Sequence, residues 1–446
     1  LLRRLGTCPD IAATIRHAGG AAAPADLILD LCGDAPETSG RVWRLTFDGA
    51  HGEAALLASL AAGRTPVAAI TEVGRTVACG RLGTESSGNA RDALGDTRAR
   101  TTTLILAALA GGARALPDLP EYDTGLGAPG VPSGRAIALR TGRRMVRSAI
   151  RRAYRLCFHT PHWRVGWRRL DGPDVFALRD HPASGWQTLP DDGGRFYADP
   201  FPILHDGRLT LFVEEFPHAT GKGIISAVAF GPNGPLGTPE PVLDLPTHLS
   251  YPFVFARDGA HWMIPESGAT ATIDLFRATA FPGGWVREAT LVAGVVASDA
   301  TLLEQDGRWW MFATVRDGGG AFSDALHLWS APDFRGPWTA HRRNPVLIDI
   351  ASARPAGRIV SREGALLRPV QDCRRGYGAA LGIARIDRLD DDGFAQTVET
   401  ILTAGPRWPG RRLHTLNSAG GFEFIDGSAR ALRRWRRPQP PRLANT

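Results

Sequence analysis

Five stretches of this chain follow one plan, and their spacing limits the fold more than any other feature. They are "RFYADPFPILHDGRLTLFVEE" from Arg195, "SYPFVFARDGAHWMIPES" from Ser250, "SDATLLEQDGRWWMFATV" from Ser298, "ARPAGRIVSREGALLRPVQD" from Ala353 and "HTLNSAGGFEFIDG" from His414. Each is an apolar run, a glycine-containing turn and a second apolar run, and Asp-Gly or a close relative between two such runs is a strong hairpin signal. The turn glycines Gly207, Gly259, Gly307, Gly364 and Gly421 lie 52, 48, 57 and 57 residues apart. A repeat near fifty residues with several short strands per unit is the sequence sign of a β-propeller blade, and five hairpins predict five blades. A β-sandwich with regular turns is the alternative.

In a propeller the first strand of every blade lines the central channel and begins at one mouth. Equivalent positions therefore converge in space, and here they are Asp199, Tyr251, Asp299, Arg354 and His414. Two carboxylates, a guanidinium, an imidazole and a phenol round one funnel describe a ligand site. The same residues could instead form an ion-paired network, Arg354 with Asp199 or Asp299, that closes the axis. Glu214, Glu215, Glu266 and Asp372 fall where a second strand returns towards that mouth, Glu266 in the short-chained "PES". Trp262, Trp309, Trp310 and Trp329 read as packing between sheets rather than sugar-stacking platforms. His205, His218 and His248 have no metal-ligand spacing, "GKG" at Gly221 is no phosphate loop, and no dinucleotide fingerprint occurs, so neither a metal nor a cofactor is expected.

The 446 residues exceed one ordinary domain, and two or three units are expected. Ahead of the repeats, "ADLILDL" (from Ala25), "RVWRLTF" (from Arg41), "TPVAAITEV" and "RTVACGRL" read as strands. "GEAALLASLAAG" (from Gly52) and "ARDALGDTRARTTTLILAALAGG" (from Ala90) read as helices, giving an α/β unit over residues 1–117 that opens without its own first segment. Residues 118–192 read as a linker carrying a basic helix, 193–435 as the propeller, and 436–446 as a disordered tail. The fold class expected is thus multidomain: a C-terminal five-bladed β-propeller, a small N-terminal α/β domain and a basic helical linker.

The net charge of +7 is almost wholly arginine, since Lys222 is the single lysine; such a skew points to a GC-rich genome before it points to nucleic acid. One cluster stands apart, "GRAIALRTGRRMVRSAIRRAYRLCFHTPHWRVGWRRL" from Gly134. Met145, Val146, Ile150, Ala153, Tyr154, Cys157 and Phe158 recur at helical spacing among Arg143, Arg144, Arg147, Arg151, Arg152 and Arg155. This amphipathic helix is suited to packing on a neighbouring domain, or to an anionic membrane surface or acidic glycan. No nucleic-acid module accompanies it, and nucleic acid is not an expected partner. Five scattered cysteines without a Cys-x-x-Cys pair read as free thiols of a reducing compartment. With no apolar run of membrane-spanning length and no leader, the expectation is a cytoplasmic protein at or near the membrane.

Three resemblances add to this reading. The front unit resembles formyltransferase-like domains, but "CGDAPETSGRVWRLTFDG" has neither the Asn nor the His that those enzymes carry after the matching strand, which implies a degenerate domain with Asp30, Asp34 and His51 at turns or the surface. The propeller resembles glycosidases of the arabinanase/xylosidase and invertase/levansucrase type. That resemblance implies Asp199 of "DP" as base or nucleophile and Asp299 as its assistant, while Arg354 stands where those families place the acid; Glu266 is the substitute acid. Third, "YADPF", "HLSYPFVF", "MIPES", "RPVQD" and "HTLN" resemble the N-terminal region of glucosamine inositolphosphorylceramide transferases. The plant members add a sugar-transferring C-terminal domain, and since the sequence ends soon after the fifth hairpin the expectation is that the transferase activity does not carry over. The expected function is a carbohydrate-active or glycan-binding protein of polysaccharide or glycoconjugate biosynthesis, in a bacterial setting, with a glycan or glycolipid as ligand. Catalytic candidates are Asp199, Asp299 and Glu266; substrate-binding candidates are Tyr251, Arg354, His414, Glu215 and Asp372. The alternatives are a non-catalytic scaffold with a closed axis, and a glycoside hydrolase.

Overall fold

The computed structural model describes residues 27–35, 41–85, 90–111, 130, 133–405, 408 and 410–433. The expected disordered tail 436–446, Cys8 and most of the 118–132 linker lie outside the described residues. Among the described residues five consecutive antiparallel sheets follow the repeats. Blade one runs Arg195–His205, Arg208–Pro217 and Ile224–Gly231, with Gly234–Pro235 and Glu240–Leu243 on its outer edge. Blade two is Ser250–Arg257, Ala260–Glu266, Thr272–Ala280 and Gly283–Ala293. Blade three is Ala297–Gln305, Arg308–Val315 and Ala325–Ala331 with two short outer strands, and blade four is Val360–Arg362, Ala365–Asp372, Ala380–Asp390 and Gly393–Leu402.

The first hairpin of every blade turns through two left-handed residues. These are Asp206-Gly207, Asp258-Gly259, Asp306-Gly307, Glu363-Gly364 and Gly420-Gly421, all with φ between 46° and 80°. A two-residue turn of that kind has the twist that joins right-twisted strands, and a side chain tolerates it poorly at the second position. The repeated glycines are therefore fixed by backbone geometry.

Blade five corrects the expected boundary at residue 193. Leu416–Ala419 and Phe422–Ser428 are completed by Trp163–Arg169 and Gln187–Thr188, from the segment read as linker. Phe422 pairs with Arg169 and Ser428 with Trp163, so the two ends of the ring are sewn together by main-chain hydrogen bonds. Glu423 reinforces the seam, accepting from Arg168 Nε at 2.7 Å and from the main-chain N–H of Val175 at 2.8 Å. Behind it, Val165 and Trp167 pack with Leu211, Val228, Phe230, Phe422 and Phe424, the core shared by the last blade and the first. Trp262, Trp309, Trp310 and Trp329 are buried between blades, in the packing role expected of them.

The front unit is a five-stranded sheet of Ile28–Asp30, Val42–Phe47, Ala50–His51, Val67–Glu72 and Arg75–Arg81, with helices Gly52–Ala62 and Ala90–Leu109. The strand nearest the start pairs in parallel and the others antiparallel. This unit docks on blade three. Gly80 and Gly83 leave room for Ile348 and Ile350, where an added Cβ would come within 2.8 and 2.4 Å of those side chains. Arg100, wholly buried, donates to Asp324 Oδ1 at 2.9 Å and to the carbonyl of Ala321 at 2.9 Å; the N–H of Gly83 donates to Asp324 Oδ2 at 2.8 Å.

Two outcomes follow from these contacts. A chain beginning at residue 193 lacks the closing strand and is expected to lose cooperative unfolding, whereas one beginning at 158 keeps it, as read by circular dichroism melts and size-exclusion chromatography. Arg100→Ala, which strands a buried carboxylate, is expected to cost roughly 3–5 kcal/mol in denaturant unfolding. Arg98→Ala on the exposed face of the same helix is expected to leave the midpoint nearly unchanged.

Candidate functional site

The five blade openings do meet round one axis. Asp199, Tyr251 and Asp299, at the same place in the first three blades, all have left-handed backbones, with φ of 50°, 44° and 58°. Each sits where the pairing register of its inner strand slips. Such a bulge turns the residue out of the ladder and leaves its N–H unpaired, in a conformation that Asp tolerates and Tyr normally avoids. A carboxylate answers each free N–H. Asp426 Oδ2 accepts from Asp199 N at 2.7 Å, Asp199 Oδ2 from Tyr251 N at 3.0 Å, and Glu266 Oε2 from Asp299 N at 3.0 Å.

The side chains continue the network. Asp199 Oδ1 accepts from Thr415 Oγ1 at 2.9 Å and faces His414 Nε2 at 3.3 Å. His414 Nδ1 lies 2.6 Å from Asp426 Oδ1, an ion contact whose angle is not that of a hydrogen bond. Trp163, from the closing strand, stacks on the imidazole with centroids 4.2 Å apart. Arg354 Nε donates to Asp299 Oδ2 at 2.6 Å and its Nη2 lies 3.5 Å from Glu266; the guanidinium sits 4.8 Å over the Tyr377 ring. Gln371 Nε2 donates to the same Asp299 oxygen at 2.9 Å. The front unit reaches this hub as well, since Ser323 Oγ accepts from Arg354 Nη1 at 3.3 Å and donates to Glu85 at 3.1 Å.

Asp199, Tyr251, Asp299, Arg354 and His414 are all at most 6% exposed. Tyr251 is structural: its hydroxyl accepts from Gly357 N at 2.8 Å and bonds Thr301 at 2.8 Å, and burial holds its pKa far above the usual phenol range. Burial pushes Asp199 up to about 6, with His414 opposing and Asp426 adding to the rise. Burial likewise pushes Asp299 up to about 7 against the pull of Arg354. For His414, burial opposes protonation, but Asp426 and Asp199 outweigh it and the pKa is raised. Asp199, His414 and Asp426 offer ligand atoms within 4.8 Å of one another, the donor set of a cation site. The imidazole lies between the two carboxylates.

Two candidates are displaced by one residue. Glu215 is turned away from the axis to Arg195 and to Ser226 Oγ, the latter donating at 2.7 Å. Its neighbour Glu214 faces the hub instead; burial, then Asp199, Glu266, Asp426 and Asp299, hold its carboxyl well above the usual range. A register slip between Phe212 and Glu214 decides which of the pair points inward, and no sequence pattern marks it. Asp372 is clasped by Arg374, with Nη2 at 2.7 Å, and Gln371 takes the inward place. Glu266 is where it was expected, the least buried of the axial carboxylates, with its side chain 16% exposed. His248, read as an ordinary polar residue, lies at the mouth with Nε2 3.5 Å from Glu214. Gly223 packs there so closely that an added Cβ would meet the Leu249 carbonyl at 2.4 Å. Trp163 and Tyr377 were missed: no turn glycine marks Trp163, and Tyr377 lies in the loop between the second and third strands of blade four.

A five-bladed propeller whose axis is filled by a buried ion-pair hub, with a small acidic and aromatic mouth above it, is the class this fold and site define. The family model described as "Glucosamine inositolphosphorylceramide transferase 1, N-terminal" matches residues 188–420, and the chain belongs to that family. Glucosamine inositolphosphorylceramide transferase 1 of Oryza sativa subsp. japonica is 33% identical over 260 residues, covering 54% of this chain and 34% of that protein. The Arabidopsis thaliana protein is 31% identical over 246 residues, covering 52% and 32%. The chain thus spans about a third of the length of these relatives, which are plant proteins and lend no support to the expected bacterial setting. Solved structures similar to it include Zg3597, a family 117 glycoside hydrolase of Zobellia galactanivorans (12% identity, TM-score 0.39, 59% of this chain and 90% of that one). Another is CoXyl43, a GH43 β-xylosidase/α-arabinofuranosidase from a compost metagenome (13% identity, TM-score 0.40, 54% and 91%).

The raised values fix a pH dependence. A group whose folded pKa lies above its unfolded value binds its proton more tightly when folded, so its stabilisation is full below the unfolded pKa and is lost as pH rises through the folded one. Asp199, Asp299, Glu214 and His414 all have this sign. Stability against denaturant is therefore expected to fall from pH 5 to pH 8, and Asp299→Asn is expected to flatten the slope. A midpoint that rises over this range in the wild type would contradict the assignment.

Proposed function

We propose that the propeller is a carbohydrate-recognition module for glycoconjugate assembly and does not hydrolyse glycosides. The observation that carries this reading is Arg354. It stands on the axis with Asp299 at 2.6 Å and Glu266 at 3.5 Å, while Asp199 is engaged by Tyr251 N, Thr415 and His414. Glycoside cleavage requires one carboxyl free to protonate the leaving oxygen and a second free to attack or to activate water. Carboxylates already occupied by main-chain N–H groups and a buried guanidinium suit neither task. Glu214, whose carboxyl burial holds well above the usual range, and Glu266, with its more exposed edge, supply polar groups for a sugar, and Tyr377 offers a half-buried ring beside them.

The ligand class we infer is a glucosamine- or inositol-phosphate-bearing glycan, in keeping with the names of the relatives. We read the front unit as a degenerate formyltransferase-like domain kept for its fold. In support, Asp30 is buried and spends its carboxylate on the N–H groups of Cys32, Gly33 and Ala35 rather than on a site. Its contact through Glu85 and Ser323 makes it a support for the Arg354 network.

The test is a glycan array followed by calorimetry, alongside a panel of aryl glycosides. Expected are binding of a glucosamine- or inositol-phosphate-containing glycan, about tenfold or greater weakening by Glu266→Gln or Tyr377→Ala, and no turnover. Hydrolysis by the wild type that Asp199→Asn abolishes would overturn the reading.

A further inference from the structure

The helix Gly134–Cys157 has no packing partner for its apolar side among the described residues. Leu139, Met145, Val146, Ile150 and Leu156 are each 57–69% exposed, the largest run of bare apolar side chains among the described residues. At about 100° per residue, Leu139, Val146, Ile150 and Cys157 fall along one line, and Met145 and Leu156 lie about 100–120° round from it, with Ala149 and Ala153 filling the arc between. Arg143 and Arg147 flank that line on its other side and Arg144, Arg151, Arg152 and Arg155 continue the basic arc round the rest of the helix, which contains neither Asp nor Glu. The expectation that this helix packs on a neighbouring domain is thus not met by the described residues. No helix among them is long and apolar enough to cross a membrane.

Its place relative to the propeller is defined at one end. Phe158–His159 continues from the helix and pairs with Ala431–Leu432, and Arg433 N donates to the Cys157 carbonyl at 2.7 Å. His159 stacks on His218 at 3.9 Å, and His218 N donates to the Gly194 carbonyl at 2.9 Å, where the inner strand of blade one begins. Inner strands begin at the mouth and end at the Gly207, Gly259 and Gly307 hairpins, so the helix leaves the propeller from the mouth end. Exposed Arg411, Arg430 and Arg433 and the exposed Leu432 extend its basic and apolar surface there. Arg412 then links this patch to the hub by donating to the Tyr377 carbonyl.

From this arrangement we propose that residues 134–157 form an interfacial helix that lies on an anionic lipid bilayer and holds the propeller with its mouth towards the headgroups. Charge complementarity selects the occupant. An unbroken set of arginines with no acid suits an anionic surface, and the apolar stripe has the depth to enter the acyl boundary that a soluble polyanion would leave in water. The proposal stands apart from the sugar reading, because it needs no glycolipid in the membrane.

The test uses the full chain with phosphatidylcholine vesicles, with and without phosphatidylserine, in flotation at low and high salt. Binding is expected only with phosphatidylserine, weakening with salt and by roughly fivefold for each of Arg147, Arg151 and Arg155 changed to Gln. Ile150→Asp is expected to abolish binding while the thermal midpoint, set by a propeller this residue does not touch, stays put. Hydrogen exchange on vesicles is expected to protect residues 138–157 together with 410–412, and not the Gly207, Gly259 and Gly307 turns. Equal flotation of wild type and Ile150→Asp would overturn the proposal, as would protection of those turns. So would wild-type self-association that Ile150→Asp dissolves without any vesicle binding, which would make a second copy the occupant.

Discussion

The structure depends on a main-chain N–H that has lost its place in a ladder. At Asp199, Tyr251 and Asp299 the inner strand bulges into the left-handed region, at a cost on the order of 1–3 kcal/mol each. The bulge is tolerable because a carboxylate from another strand accepts the freed N–H in a charge-assisted bond. Two of these carboxylates, Asp199 and Asp426, also flank His414, and Glu266 faces Arg354. Backbone shape, blade packing and the charge state of the axis are therefore one problem, and removing any acid disturbs all three.

That coupling gives the acidic residues of the axis a different meaning from the one their sequence position implies. A carboxylate at the opening of a propeller strand is the expected place for catalysis, and Asp199 and Asp299 occupy it. Their oxygens, however, meet main-chain N–H groups, a threonine, a glutamine, an imidazole and a guanidinium. Glu214, Glu266, His248 and Tyr377 sit at the rim, outside this set of contacts. The front unit is joined to the same system, through Arg100 and Asp324 at the interface and through Glu85 and Ser323 to Arg354.

Much of the fold could be read from short windows. The five hairpins were legible because each depends on a local requirement, two consecutive left-handed residues, that Asp-Gly meets. Front-unit strands and helices were legible for a similar reason, as hydrophobic period and stop signals are local. The strand Trp163–Arg169 was not. Its partner lies more than 250 residues away, and no turn links them, so a reading of neighbouring residues left it in the linker. Along with it went Trp163, which lies on His414. Glu215 and Asp372 were placed only by where a second strand returns towards the mouth, and at Glu214 a single slip in pairing exchanged the inward and outward faces.

The sequence by itself determined the number of blades, the residues that open each one, and the amphipathic division of the basic helix, since all three follow from the order of side chains along the chain. Tertiary structure alone decided how the ring closes, which carboxylates are consumed by the backbone, and that the basic helix leaves from the end carrying the mouth. These depend on which strands become neighbours across hundreds of residues. Only the closed ring brings the bulged N–H of Asp199 within 2.7 Å of Asp426, 227 residues further along the chain.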